Sequence, residues 1–286
     1  MSGTIMVGYD GSPAGKVALD WALRRAEATG HDVDVVFVAD TSWDSEAFTA
    51  APLLQKHGEV VLASAAFNAD SKAPDVRVTS RVVHGNPVAV LCAEAESTGA
   101  ALLVVGSYRK DLYERLTTSA VSLRVAASAK VPVAVIPDLP VSGRSGVVVG
   151  IDGSESGDAV LAEGIAEAAR LEEPLHIVSA WTMPPLSMPD FTDGSELYDA
   201  LEERARLGAQ AAVERAGAHP ELVIDTQVVL DAPAAALITA AKQASLLVIG
   251  SHGRRGLSRF LLGSVSHDVL IHTPCPVIVL RVADTA

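Results

Sequence analysis

Cysteine is nearly absent: Cys92 and Cys275 are the only two in 286 residues, and they lie far apart in the chain. That excludes a disulfide framework, a Cys-x-x-Cys redox pair and the cysteine spacings of structural zinc sites, and it suits a reducing cytoplasm. Aromatic residues make up 4 % of the chain. The core must therefore be built from Val, Leu, Ile and Ala, the composition of a buried parallel sheet under Ala-rich helices. Basic charge is also short, with 22 Lys and Arg against 35 Asp and Glu and a net charge of −13. Such a surface repels nucleic acid and anionic lipid, so neither is expected as a partner. No apolar run reaches the ~20 residues that span a bilayer. Residues 1–7 lack the basic start and apolar stretch of a signal peptide. A cytoplasmic location is expected. Two phosphate-binding signatures are missing as well: Gly-x-x-x-x-Gly-Lys-Ser/Thr nowhere occurs, and Gly-x-Gly-x-x-Gly follows neither first strand. P-loop nucleotidases and dinucleotide-binding folds are set aside on that ground.

What is present is an internal repeat in a chain that is 49 % apolar. Ile-Met-Val-Gly-Tyr-Asp-Gly-Ser at 5–12 reads like Val-Val-Val-Gly-Ile-Asp-Gly-Ser at 147–154. Pairing residues 106–136 with 250–280 gives nine identities in 31 positions, more than shared composition supplies. The length suits two domains, here 1–138 and 146–286, joined by a Pro-, Gly- and Ser-rich linker at 137–146. Strand signals fall at 4–9, 33–39, 76–83, 101–106 and 132–136, then at 147–151, 174–180, 222–230, 246–250 and 276–281. Helical signals lie between them, at 13–29, 50–69, 87–98 and 118–128, then at 156–170, 195–216, 233–243 and 264–272. Segments 41–49 and 181–194 read as loops. Alternation of this kind means βαβ units with right-handed crossovers. The predicted fold class is α/β: two tandem doubly wound domains, each a five-stranded parallel sheet flanked by helices.

In open α/β sheets a ligand sits beyond the carboxyl ends of the strands. In the second half those ends carry Asp152 and Gly153 after the first strand, Ala180 after the second, and Gly-Ser-His-Gly at 250–253 after the fourth. Gly250 and Gly253 lack a Cβ, so amides can approach an anion and φ can turn positive. Gly263 and Ser264 open a helix, whose free N–H groups and dipole favour negative charge. Ser264 and Ser266 offer hydroxyl donors. Arg254, Arg255 and Arg259 are three of ten basic residues in 142–286, against nineteen acids. On the residues alone two readings stand. One is a polyphosphate cradle; the other is a strand-end turn, a helix start and three solvated arginines.

At these positions the chain resembles the universal stress protein family over nearly its whole length, as a tandem two-repeat member. The family's ATP pattern is Gly, two residues, Gly, nine residues, Gly-Ser/Thr, and Gly250, Gly253, Gly263 and Ser264 fit it with the spacing intact. The resemblance implies a bound adenine nucleotide, ATP with a divalent ion such as Mg. Asp152 and Gly153 would lie near the base and ribose, with Val178 and Ala180 lining the base pocket. Ile249 and Gly250 would border the sugar and phosphates, and Gly253, Gly263, Ser264, Val265 and Ser266 would cradle the phosphates. It also implies an intrachain pseudo-dimer through the last strands, and it leaves a homodimer open. The first half departs from the pattern: Arg109 replaces the second glycine, Ser119 and Ala120 replace Gly-Ser, and Asp111 and Glu114 enter the loop. That half is expected to be degenerate. Asp231 stands where Gly is usual, a carboxylate near the second site.

Other candidates read blandly. His252 is a phosphate contact or a solvent-facing loop residue. His267 and His272, five apart, do not share a helix face, so no metal site is expected. Cys92 and Cys275 read as buried reduced thiols. Asp10 and Asp152 are repeat equivalents in separate sites, not a catalytic pair, and no nucleophile–base pair stands out. The leading expectation is therefore an ATP-binding regulator in the stress response that is not an enzyme. A slow ATPase or nucleotide-dependent ligase and a nucleotide-independent interaction module are the alternatives.

Overall fold

The computed structural model describes residues 3–42, 49–108, 121–139, 143–183, 194–252 and 262–281, with 155–156 and 194–196 in backbone only. The chain divides into two compact units, Met1–Pro140 and Val141–Ala286. The first runs β1 (Thr4–Gly8), α1 (Pro13–Thr29), β2 (Asp32–Ala39), α2 (Ala51–Lys72), β3 (Val78–His84), α3 (Pro87–Ser97), β4 (Leu102–Ser107), α4 (Val121–Ser128) and β5 (Val133–Pro137). The second runs β6 (Val147–Ile151), α5 (Glu155–Leu171), β7 (Leu175–Trp181), α6 (Gly194–Ala216), β8 (Ile224–Leu230) and α7 (Pro233–Ala240). A 3-10 turn (Ala241–Gln243), β9 (Leu246–Gly250), α8 (Ser264–His272) and β10 (Val277–Leu280) follow.

Within the first unit the strands lie in the order β3-β2-β1-β4-β5, and within the second β8-β7-β6-β9-β10. Pairing inside each unit is parallel. Parallel central strands are covered on both faces, which is why Val147, Val148, Val149, Leu247 and Val248 are all fully buried. Helices α5 and α6 pack together on one face of the second unit, and α7 and α8 on the other.

Every strand and helix read from the sequence is present, with described ends shifted by up to three residues. Helix α2 runs past its expected end to Lys72, with Ala65, Ala69 and the following Ala73 buried along one stripe, and Lys72 Nζ reaches Asp20 Oδ2 on α1 at 2.5 Å. Strand β7 continues through Trp181, which was read as loop, because it pairs with Leu230 of β8. Helix α7 ends at Ala240, and its expected last turn tightens into the 3-10 turn. The rest of loops 41–49 and 181–194, and residues 118–120 of the fourth helix, fall largely outside the described residues.

The repeated Asp-Gly-Ser is a strand-to-helix turn. In β6–α5, Gly153 takes φ 72°, and Ser154 Oγ accepts from Gly157 N at 3.2 Å. Asp152 Oδ1 accepts from Ser154 N at 3.0 Å and from the Ser154 hydroxyl. In β1–α1, Gly11 takes φ 78°, Ser12 caps Gly15 N at 3.0 Å and Asp10 accepts from Ser12 N at 3.0 Å. The glycine supplies a backbone conformation costly for other residues, and the serine satisfies a helix amide left without a partner.

Helix α5 lies very close to the sheet. A Cβ at Gly164 would fall 2.0 Å from Val149 Cγ2. Val149 is fully buried and β-branched, so it cannot rotate away. We expect Gly164→Ala to cost about 1–3 kcal/mol through overpacking, outweighing the ~1 kcal/mol that alanine gains in helix propensity. Urea unfolding monitored by circular dichroism should show a lower midpoint with an unchanged slope.

Candidate functional site

Parallel strands all end at one edge, and the helices that follow them begin there. In the second unit this edge holds a cleft of about 840 Å³, within the roughly 300–1,000 Å³ of small-molecule sites. It opens where the strand order reverses, between β6 and β9. Its floor is the strand ends: Gly150 and Ile151 of β6, residues 178–181 of β7, and Ile249 and Gly250 of β9. One wall carries Gly157 and Val160 of α5 and Leu201, Arg204, Ala205 and Gly208 of α6. The other carries Pro233 and Leu237 of α7 and residues 262–266 at the start of α8.

Ten of the residues named from the sequence line this one cleft: Asp152, Gly153, Val178, Ala180, Ile249, Gly250, Gly263, Ser264, Val265 and Ser266. Gly253 and Arg254, Arg255 and Arg259 lie outside the described residues, as do Arg109, Asp111, Glu114, Ser119 and Ala120 of the first unit.

The start of α8, like those of α2 and α7, has no side-chain cap, unlike the starts of α1, α3 and α5. Those are capped by Ser12, Asn86 and Ser154 side chains. Helix α8 begins at Gly263, which makes no side-chain cap bond. Gly263 N donates to Ser251 O at 2.8 Å, and the helical ladder resumes with His267 N to Gly263 O at 2.9 Å. The amides of Ser264, Val265 and Ser266 therefore have no acceptor among the described residues. Gly263 has φ −64° and ψ 160°, open to any residue, and a Cβ there would meet nothing nearer than 3.4 Å. Neither backbone strain nor protein packing requires this glycine.

Two sequence expectations are corrected here. Gly250 does not take a positive φ; a Cβ on it would instead meet His252 O at 3.1 Å and Val160 Cγ2 at 3.3 Å. Ser266 is 3 % exposed, and its hydroxyl is committed to Ser251 O at 2.9 Å and Gly263 O at 3.0 Å. It braces the strand end against the helix start instead of facing the cleft as a free donor. Ser264 is exposed. His252 places Nδ1 3.1 Å from Ser251 Oγ, while its Nε2 is buried with no hydrogen-bond partner among the described residues. An orphaned ring nitrogen on a residue lining the cleft is a polar group lacking a complement.

Asp152 is the one carboxylate lining the cleft among the described residues, and it is engaged by Ser154. Asp231 does not line the cleft; its Oδ1 accepts from Ala232 N at 2.7 Å. Among the described residues no three His, Cys, Asp or Glu side chains group as metal ligands. His272 is turned to its own helix, its Nδ1 2.8 Å from Asp268 O.

Sequence reasoning missed the α6 wall. Leu201, Arg204, Ala205 and Gly208 follow i, i+3, i+4, i+7 spacing, so they share one helix face. That periodicity was legible, but nothing in it says which edge of the sheet the face meets. Trp181 stands at a strand end where a ligand is expected, but Thr-Met-Pro-Pro after it reads as loop, so it is not among the expected binding residues. Its ring meets Tyr198 of α6 edge-on, centroids 5.0 Å apart.

A parallel α/β unit with a cleft at its switch point, in a chain that carries a second unit of the same plan, defines the class of protein. The universal stress protein family model matches residues 1–137 and again 144–281. The chain belongs to the universal stress protein family. It is 32 % identical over 302 aligned positions to Universal stress protein Rv1996 of Mycobacterium tuberculosis, covering 97 % of this chain and 95 % of that one. Universal stress protein Rv2005c of the same organism is 31 % identical over 294 positions, with 97 % and 96 % covered. A universal stress protein from Archaeoglobus fulgidus shares the fold, with a TM-score of 0.72, 19 % identity, and 100 % and 98 % of the two chains covered. Among the described residues no helix is long and apolar enough to cross a membrane.

Cys275 lies beside β10, fully buried. Burial pushes its thiol up to about 12, against a smaller downward pull from Arg144. The raised value means that the folded state keeps the proton where the unfolded chain loses it. The associated stability is intact below the ordinary thiol value of about 8.5 and is lost as pH climbs from there towards 12. At pH 8 we expect Cys275 to resist a disulfide reagent until urea unfolds the chain, read by mass spectrometry of the labelled peptides.

Proposed function

We propose that the second unit binds an adenine nucleotide, ATP with a divalent cation, and that the protein is a stress-response regulator working by nucleotide-dependent conformation. The observation that carries this reading is the uncapped start of α8, opening into a cleft of nucleotide size. Three amides and the helix dipole form an anion site, and His252 lines the same cleft. Family membership and the intact Gly, Gly, Gly-Ser spacing support the same ligand. The residues present fit the triphosphate. The amides of Ser264, Val265 and Ser266 would hold phosphate oxygens, and Val178, Trp181 and Leu237 would exclude water from the base. A divalent cation bound with ATP would neutralise phosphate charge, held chiefly by phosphate and water oxygens. Asp152, the one carboxylate lining the cleft among the described residues, has its Oδ1 engaged by the turn that starts α5. This favours occupancy as a signal over rapid turnover.

Protein purified without added nucleotide, denatured and analysed by chromatography should release about one adenine nucleotide per chain. Two per chain would mean that the first unit binds as well. None released, and none bound in titrations to millimolar concentration, would favour an interaction module without nucleotide. Gly263→Asp gives a second check. Aspartate is a good N-cap, so stability should stay level or rise by a few tenths of a kcal/mol. The carboxylate would occupy the α8 amides and repel phosphate, so nucleotide should be lost from a fully folded protein.

A further inference from the structure

Arg204 is the one Lys or Arg lining the cleft among the described residues. Helix α6 carries three arginines, and the other two are ion-paired. Arg206 meets Glu203 at 2.7 Å, and Arg215 meets Asp158 at 2.7 Å. Arg204 has no carboxylate partner among the described residues.

Its place in the fold separates it from the anion site. Helix α6 packs on β7 and β8. The start of α8 is tied to the end of β9 through Gly263 N and Ser251 O. The strands run β8-β7-β6-β9, and at about 4.8 Å per strand the ends of β7 and β9 stand roughly 10 Å apart. The cleft thus has an amide-rich end at β9 and an apolar end at β7, where Val178, Trp181, Leu201 and Ala205 gather. A ligand with phosphates on the α8 amides would put its flat, apolar part at β7. There the cation beside it is Arg204.

We propose that Arg204 is a base-binding residue that lays its guanidinium against the nucleobase and does not contact the phosphates. A planar guanidinium stacks on a flat π-system, whereas an ammonium acts as a point charge. The proposal rests on the nucleotide-binding reading above.

Calorimetric titration of the full chain with adenosine, AMP, ADP and ATP tests it, using wild type, Arg204→Ala and Arg204→Lys. Arg204 is exposed, so all three should melt together. Alanine should weaken every ligand by the same factor, about two- to thirty-fold, adenosine included, and lysine should restore only part. A loss that grows with the number of phosphates, no loss at all, or full recovery with lysine overturns the proposal. Wild type that binds none of the four at millimolar concentration overturns the nucleotide reading itself, and this proposal with it. Wild type that binds while Arg204→Ala binds equally well overturns this proposal alone.

Discussion

Parallel strand pairing is the constraint from which the rest of each unit follows. Two neighbouring parallel strands cannot be joined by a tight turn, so the chain must return through a crossover, here a helix each time. Every strand then ends at one edge of its unit, and every crossover helix begins there. Helix starts expose unbonded amides. The edge would be studded with unsatisfied donors unless the sequence dealt with them, and for α1, α3 and α5 it does, with Ser12, Asn86 and Ser154. At α2, α7 and α8 the capping side chain is missing, and at α8 three donors start a helix that lines the cleft.

The same reasoning separates what was legible in the sequence from what was not. The strands were plain because runs such as Val-Val-Val-Gly-Ile at 147–151 are apolar throughout, which only a doubly covered strand needs. Gly263 was legible through spacing, and the structure adds that no local contact explains it. Ser266 was found by proximity, yet its chemistry was misread, because a hydroxyl bonded to two carbonyls looks in sequence like any other serine. Arg204 could not be reached. Its relevance depends on α6 lying over β7, a long-range packing fact that no local pattern encodes.

Asp152 shows how one side chain can be both structural and placed for a ligand. Its carboxylate closes the turn into α5, and it also lines the cleft. The counterpart Asp10 makes the same bond to Ser12 N. Retention of Asp-Gly-Ser in both units therefore follows from backbone geometry alone and says nothing by itself of ligand binding. The residues that distinguish a binding unit must be sought elsewhere, at helix starts and along the α6 face.

Duplication brings a hazard during folding, since α1 and α5 are helices of one plan made in the same chain, and misassembly is a characteristic failure of repeated domains. The contact between Gly164 and Val149 bears on it. The position equivalent to Gly164 in α1 is Ala22, fully buried in its own unit. If α1 were seated on β6 at the depth of α5, its alanine methyl would be driven into Val149, where even a bare Cβ falls 2.0 Å from Cγ2. The one carbon that Ala22 has and Gly164 lacks thus sets a steric penalty against seating α1 on β6 at that depth.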